Sequence, residues 1–206
     1  MHQKRIHFAG KDLSSAKNAL IMVHGRGASA EDILGLAGQL SVDDFALVAP
    51  QATNDTWYPY SFLMPQGQNE PWLSSALGLL LDTARDLNKA GIADESIYFV
   101  GFSQGACLTL EFVTRNARRW GGVVAFTGGL IGDVINKQNY HGDFQNTPVF
   151  IGTSDPDPHV PVGRVNETTT ILRSMNAVVT VKIYRGMGHT VSVDEIAMAN
   201  KLIFSK

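Results

Sequence analysis

The sequence predicts an α/β fold, a mostly parallel central sheet flanked by helices on both faces. Three observations predict it. Continuously apolar, β-branched runs alternate along the 206 residues with segments of helical periodicity, which is how strands buried on both faces of a parallel sheet read. The residues best suited to chemistry (His24 to Gly27, Ser103, Asp155 and Asp157, and His189) each follow a predicted strand, and open α/β sheets gather ligands beyond the carboxyl ends of their strands. Lastly, Gly101-Phe102-Ser103-Gln104-Gly105 joins a strand-like run to a helix-like run with no breaker between them.

Taken in order, Ala19 to Val23 is an apolar strand that ends at His24-Gly25-Arg26-Gly27. Ser29 is a capping residue for a helix from Ala30, with Asp32 favouring its N-terminus. Phe45 to Ala49 is a strand stopped by Pro50. Gln51 to Glu70 is a long connection rich in proline and aromatic residues, and loops of that length in compact domains are usually functional. Pro71 opens a helix as an N1 residue, and Leu73, Leu77, Leu80, Ala84 and Leu87 fall on one face of it until Gly91 ends it. Glu95 to Val100 is the strand before Ser103, and Ala106 to Val113 the helix after it. Gly122 to Phe126 and Thr147 to Ile151 are further strands. Val162, Val165, Thr169 and Leu172 mark a helix, Val178 to Tyr184 the last strand, and Val193 to Ile203 a closing helix.

Composition narrows the function classes. The chain length suits one domain spanning 1–206, with no room for a separate cap domain. A net charge of -2 announces no basic face, so nucleic acid is not an expected partner. The one dense basic cluster, Arg115 with Arg118 and Arg119, is placed to complement a helix dipole. Cys107 is the only cysteine, which rules out an intramolecular disulfide, and its place on the helix after Ser103 predicts burial. No metal-ligand spacing and no cofactor motif appear. The first residues lack the pattern of a signal peptide and no apolar stretch is long enough for a bilayer, so a cytoplasmic location is expected.

Strand, G-x-S-x-G and helix together form the layout of a nucleophile elbow. A serine on so tight a turn takes a strained backbone, and its neighbours two residues away approach closely, which calls for Gly101 and Gly105. A serine hydroxyl needs a base, and His189 is the candidate. A carboxylate then fixes the histidine tautomer. Asp155 and Asp157 both lie in the right connection, and spacing alone leaves them open. The order Ser, Asp, His along the chain is that of an α/β-hydrolase. Backbone N–H groups of Gln104 and Arg26 are the candidate oxyanion donors, while His24 is expected to steady its own loop by a structural hydrogen bond.

Four segments in this order, Ile21 to Gly27, Gly101 to Ala106, Asp157 to Pro161 and Gly186 to His189, resemble the phospholipase/carboxylesterase family of α/β-hydrolases, which includes acyl-protein thioesterases. The likeness runs from about Ala19 to Phe204. It implies Ser103 as nucleophile, His189 as base, Arg26 and Gln104 as oxyanion hole, and Asp157 rather than Asp155 as the acid, because the family's acid precedes a Pro-x-Val-Pro-like segment. The chain departs from the pattern in a longer approach, Thr153 to Pro156, and in His159, where an apolar residue is common. The expected substrate is a small-molecule ester or thioester of small to medium acyl or aryl groups. Trp57, Tyr58, Phe62, Leu63 and Met64 are the expected substrate wall. A non-catalytic binding protein and an amidase or peptidase are the competing readings. Related proteins are sometimes homodimers, but no stripe of residues identifies an interface.

Overall fold

Alternation of side chains along each strand builds the molecule. In the computed structural model, which describes residues 1–205, the strands are β1 (Ile6–Gly10), β2 (Asn18–Val23), β3 (Phe45–Pro50), β4 (Ile97–Phe102), β5 (Gly122–Phe126), β6 (Pro148–Asp155) and β7 (Val178–Arg185). They form one sheet in the order β1-β3-β2-β4-β5-β6-β7. The helices are α1 (Ala30–Gly35), α2 (Trp72–Lys89), α3 (Gln104–Arg115), α4 (Val162–Ser174) and α5 (Val193–Ala199). On β2, Ile21 and Val23 face one apolar layer with Leu73, Leu80, Phe112 and Trp120, whereas Leu20 and Met22 face a second with Ile33, Tyr98, Ile196 and Phe204. Period-two alternation thus feeds two cores, α2, α3 and α4 covering one face and α1 and α5 the other. Each large side chain removed from water contributes roughly 1.5–3 kcal/mol. Aromatic pairs anchor both layers: Phe99 lies edge-on to Trp120 at 5.0 Å, and Phe45 meets Tyr98 at 5.0 Å on the other side.

All strand pairs are parallel except one. β1 runs antiparallel to β3, with Phe8 opposite Val48. Its sequence is a short edge strand with one wet face, and Phe8 is largely exposed, so it lacks the continuous apolar signal of the inner strands. β6 runs on to Asp155, beyond the expected stop at Ile151, because β7 pairs with it along its whole length up to Asp155 opposite Arg185. That extension accounts for the long approach to the acid. The capping box at α1 uses Ser29 and Asp32 as expected, and α5 has a second one from Ser192 and Glu195. Pro71 takes the N-cap position of α2 rather than N1. The basic cluster does more than meet a dipole: Arg115 pairs with the fully buried Glu111 at 2.7 Å, Arg118 with Asp94 at 3.2 Å, and Arg119 donates to the carbonyls of Trp120 and Asn146.

Candidate active site

Ser103 sits between β4 and α3 with φ 55° and ψ −119°, a conformation that costs a non-glycine residue free energy. Its surroundings hold it there. The Ser103 N–H donates to Phe126 O at 3.0 Å and its carbonyl accepts from Cys107 N–H at 3.0 Å. A side chain on Gly101 would lie 2.5 Å from Gly105 O, and one on Gly105 would overlap the Val23 and His24 carbonyls. The elbow therefore closes on itself and on the end of β2, which brings the His24–Gly27 turn beside Ser103.

His189 reaches the same point from the loop after β7. Its Nε2 lies 2.8 Å from Ser103 Oγ and its Nδ1 2.9 Å from Asp157 Oδ2. The other carboxylate oxygen of Asp157 accepts from the backbone N–H groups of His159 and Val160, both at 2.8 Å. Burial pushes the Asp157 carboxyl up, but its hydrogen bonds to His189 and to the two N–H groups outweigh that and hold it below the usual carboxylate range. The Asp157 side chain has no exposed surface. Asp155, by contrast, ends β6 on the exposed surface. A tether accompanies the three groups: Ser154 Oγ donates to Pro156 O and accepts from Gly188 N–H at 3.0 Å, joining the acid loop to the histidine loop. His189 is bracketed by rings, Phe102 at 5.3 Å and His159 edge-on at 4.8 Å.

In the turn after β2, Gly27 N–H donates to Asp55 O and Ala28 N–H to Gly25 O. The Arg26 N–H between them meets no protein acceptor among the described residues, and neither does that of Gln104, which opens α3 where helical N–H groups have no internal partner. His24 is fully buried. Its Nδ1–H donates to Gly25 O at 2.7 Å and its Nε2 accepts from Ala52 N–H at 3.1 Å, a neutral tautomer consistent with burial lowering its pKa. Its role in this structure is to brace the turn.

The side chains of Arg26 and Gln104 do something the sequence did not announce. Both grip the same loop. The Arg26 guanidinium donates to Thr56 Oγ1 and to the carbonyls of Tyr58, Pro59 and Tyr60, at 2.8–3.0 Å. Gln104 Oε1 accepts from Trp57 N–H at 2.9 Å and its Nε2 donates to Tyr58 O at 2.8 Å. The two residues carrying free N–H groups beside Ser103 are thus also the two clamps of the aromatic loop.

That loop walls a cavity of about 750 Å³ over Ser103, bounded by Tyr58, Tyr60, Phe62 and Leu63 on one side and by His159 and Val160 on the other. Of the five residues proposed as a wall, Tyr58, Phe62 and Leu63 line this cavity and Trp57 and Met64 do not. Trp57 is fully buried beneath the turn, its indole N–H donating to His24 O at 2.8 Å and its ring 4.9 Å from that of His24. Met64 is carried past the cavity by a turn closed from its N–H to Ser61 O. Cys107 reaches the cavity one helical turn beyond Ser103, a placement readable from i, i+4 spacing. Its thiol is pushed up by burial to about 12, which leaves it protonated and inert. Among the described residues no cluster of His, Cys, Asp and Glu is arranged to hold a metal ion, and no helix is long and apolar enough to cross a membrane.

This arrangement agrees with what the chain is similar to. Residues 9–205 match the family model for Phospholipase/Carboxylesterase. A phospholipase/carboxylesterase from Dyadobacter fermentans superposes with a TM-score of 0.98 at 54% identity, over 99% of this chain and 98% of that one. Acyl-protein thioesterase 1 of Kluyveromyces lactis is 28% identical over 88% of each chain. The Saccharomyces cerevisiae protein of the same name is 32% identical, over 59% of this chain and just over half (55%) of its own length. A Bacillus cereus carboxylesterase shares the fold, with a TM-score of 0.75 at 22% identity over 96% of this chain and 92% of that one. With a match that runs nearly end to end, this chain belongs to the phospholipase/carboxylesterase family of α/β-hydrolases.

Proposed function

We propose that the protein is a serine hydrolase that cleaves carboxylic esters, thioesters included, through an acyl-enzyme, with residues 1–206 acting as one domain. The observation that carries this reading is the unbroken line of hydrogen bonds from Asp157 through His189 to Ser103 Oγ. Ser103 Oγ attacks the substrate carbonyl carbon as His189 Nε2 takes its proton. Asp157 holds the Nδ1–H tautomer and stabilises the imidazolium without itself becoming protonated. The carbonyl oxygen, now an oxyanion, accepts from the Arg26 and Gln104 N–H groups, an interaction that strengthens as charge develops. Collapse breaks the bond to the leaving oxygen or sulfur, which receives the proton from His189. Water, deprotonated by the same imidazole, then releases the acid and restores Ser103.

The cavity volume of about 750 Å³ and its aromatic wall suit small to medium acyl or aryl groups. Similarity to proteins named acyl-protein thioesterase 1 is what brings thioesters into the reading. Two measurements test it. A fluorophosphonate probe should label the wild type and not Ser103→Ala, and a chain-length series of p-nitrophenyl esters, run beside thioesters and amides, should show turnover of esters that Ser103→Ala reduces by on the order of 10⁴-fold or more. Equal turnover by Ser103→Ala, or a folded wild type that the probe never labels, overturns the assignment.

A further inference from the structure

A second, smaller cavity lies behind the first. It measures about 280 Å³ and is walled by Ile33, Leu36, Phe102 and Val191, with Asp32 at its edge. Gly25, Ala28 and Phe102 border both cavities, so the two meet at the turn after β2. The shared saddle is low because Gly25 has no side chain: a Cβ there would stand 3.4 Å from the Phe102 ring and 3.6 Å from Ser103 Cβ. We infer that this second cavity receives the alcohol part of the ester, and that it selects neutral aryl or bulky alkyl alcohols.

The assignment rests on the serine hydrolase reading and on where the smaller cavity joins the larger one, on which Ser103 and His189 both open. The leaving oxygen has to lie within reach of His189 Nε2, since that atom hands it a proton. Phe102 packs its ring on His189, and Val191 follows His189 by two residues. The smaller cavity therefore begins at Phe102, which also borders the larger one, and is closed by Val191. The larger one holds His189 and Ser103 and extends past them to Cys107, Tyr58 and Phe62, where an acyl chain attached to Oγ would run. The volume is ample for an aromatic ring, since an apolar cavity of about 150 Å³ already takes benzene. The walls are apolar side chains of α1, β4 and the histidine loop, and the ring of His24 beside them is held neutral by burial and by its bonds to Gly25 and Ala52. Asp32 at the edge is kept ionised by the Ser29 N–H and hydroxyl, which disfavours anionic alcohols.

The test uses the full-length protein and two esters of one short acid, the methyl and the benzyl ester, whose alcohols have nearly the same acidity and differ in size. The readout is the ratio of their kcat/KM values, which reports steps up to acylation. The wild type should favour the benzyl ester by about tenfold, the scale a filled apolar pocket supplies. Leu36→Trp, which fills the cavity from the residue that ends α1, should bring that ratio to about one while methyl ester turnover stays within about twofold. Val191→Phe, filling it from the opposite wall, should do the same, and covers the case in which Leu36→Trp fails to fold. Equal wild-type rates on both esters, or a benzyl preference that survives both fillings, overturns the subsite and leaves the hydrolase reading intact. Turnover of neither ester, or turnover that persists in Ser103→Ala, overturns both.

Discussion

At the scale of single residues, two aspartates two positions apart have opposite fates. Asp157 has one carboxylate oxygen on His189 and the other on two backbone N–H groups, with no exposed surface. Asp155 is exposed at the end of β6, where only its backbone is engaged, accepting from Gly186 N–H. Asp157→Asn keeps the shape but presents an amide that no longer fixes the imidazole tautomer, and should lower kcat by on the order of 10⁴-fold. Asp155→Asn should stay within about twofold. A steady-state ester assay on both variants checks the ranking, and a larger loss at Asp155 would reassign the acid. This distinction was not legible in spacing, because both residues precede proline in one acidic turn. It depends on where β6 stops, and β7 decides that by pairing with β6 to its last residue. Ser103 was legible for the opposite reason. Its constraint is local, a positive φ enforced by a close approach of backbone at Gly101 and Gly105, and so it is written into five consecutive residues.

At the scale of elements, the elbow and the turn after β2 form one unit joined at Gly105. A methyl group there meets the Val23 and His24 carbonyls, main chain at the end of β2 that cannot yield cheaply. Gly105→Ala should destabilise the fold by about 1–3 kcal/mol or more, as overpacking does, read as a lowered denaturation midpoint. The Thr56–Tyr60 loop is the other joined element, gripped by Arg26 and Gln104 together. Arg26→Lys keeps the charge but loses the fork that spans four acceptors. It should lower kcat/KM by about tenfold, with a small change in melting temperature and faster proteolysis within 56–63. An unchanged kcat/KM would show that the clamp has no bearing on the site. The strands and helices around these units followed from apolar periodicity. The clamp did not, because its acceptors are main-chain carbonyls of Tyr58, Pro59 and Tyr60, and no side-chain pattern signals where a loop will turn its carbonyls. The same blindness placed Trp57 and Met64 on the cavity wall: an aromatic loop reads as apolar throughout, and only its path decides which side chains face the cavity and which, like Trp57, go under the turn.

At the scale of the whole molecule, two buried carboxyls pull the stability in opposite directions with pH. Asp157 has a pKa below its ordinary 3.8: burial raises it, and the hydrogen bonds to His189 and to the His159 and Val160 N–H groups more than reverse that. A lowered acid contributes stability that is fully present above the ordinary value and disappears as pH falls through the folded-state value. Glu195 is the reverse case. Burial raises its carboxyl above the usual 4.5, only partly offset by the Ser192 N–H and hydroxyl, and the charge of Asp194 adds to the rise. Its Oε2 carries the capping bonds from Ser192, while Oε1 has no hydrogen-bond partner among the described residues and fills the space that a side chain on Gly152 of β6 would need. A raised acid contributes stability that is complete below the ordinary value and is lost as pH climbs through the folded-state value. Glu195→Gln keeps an oxygen for the capping bonds and cannot ionise. Whatever its absolute stability, the variant should gain on the wild type as pH rises above 4.5, and level off once the carboxyl ionises in the fold, in melting temperatures measured side by side. Parallel curves over that range would mean that Glu195 ionises as freely in the fold as in the open chain.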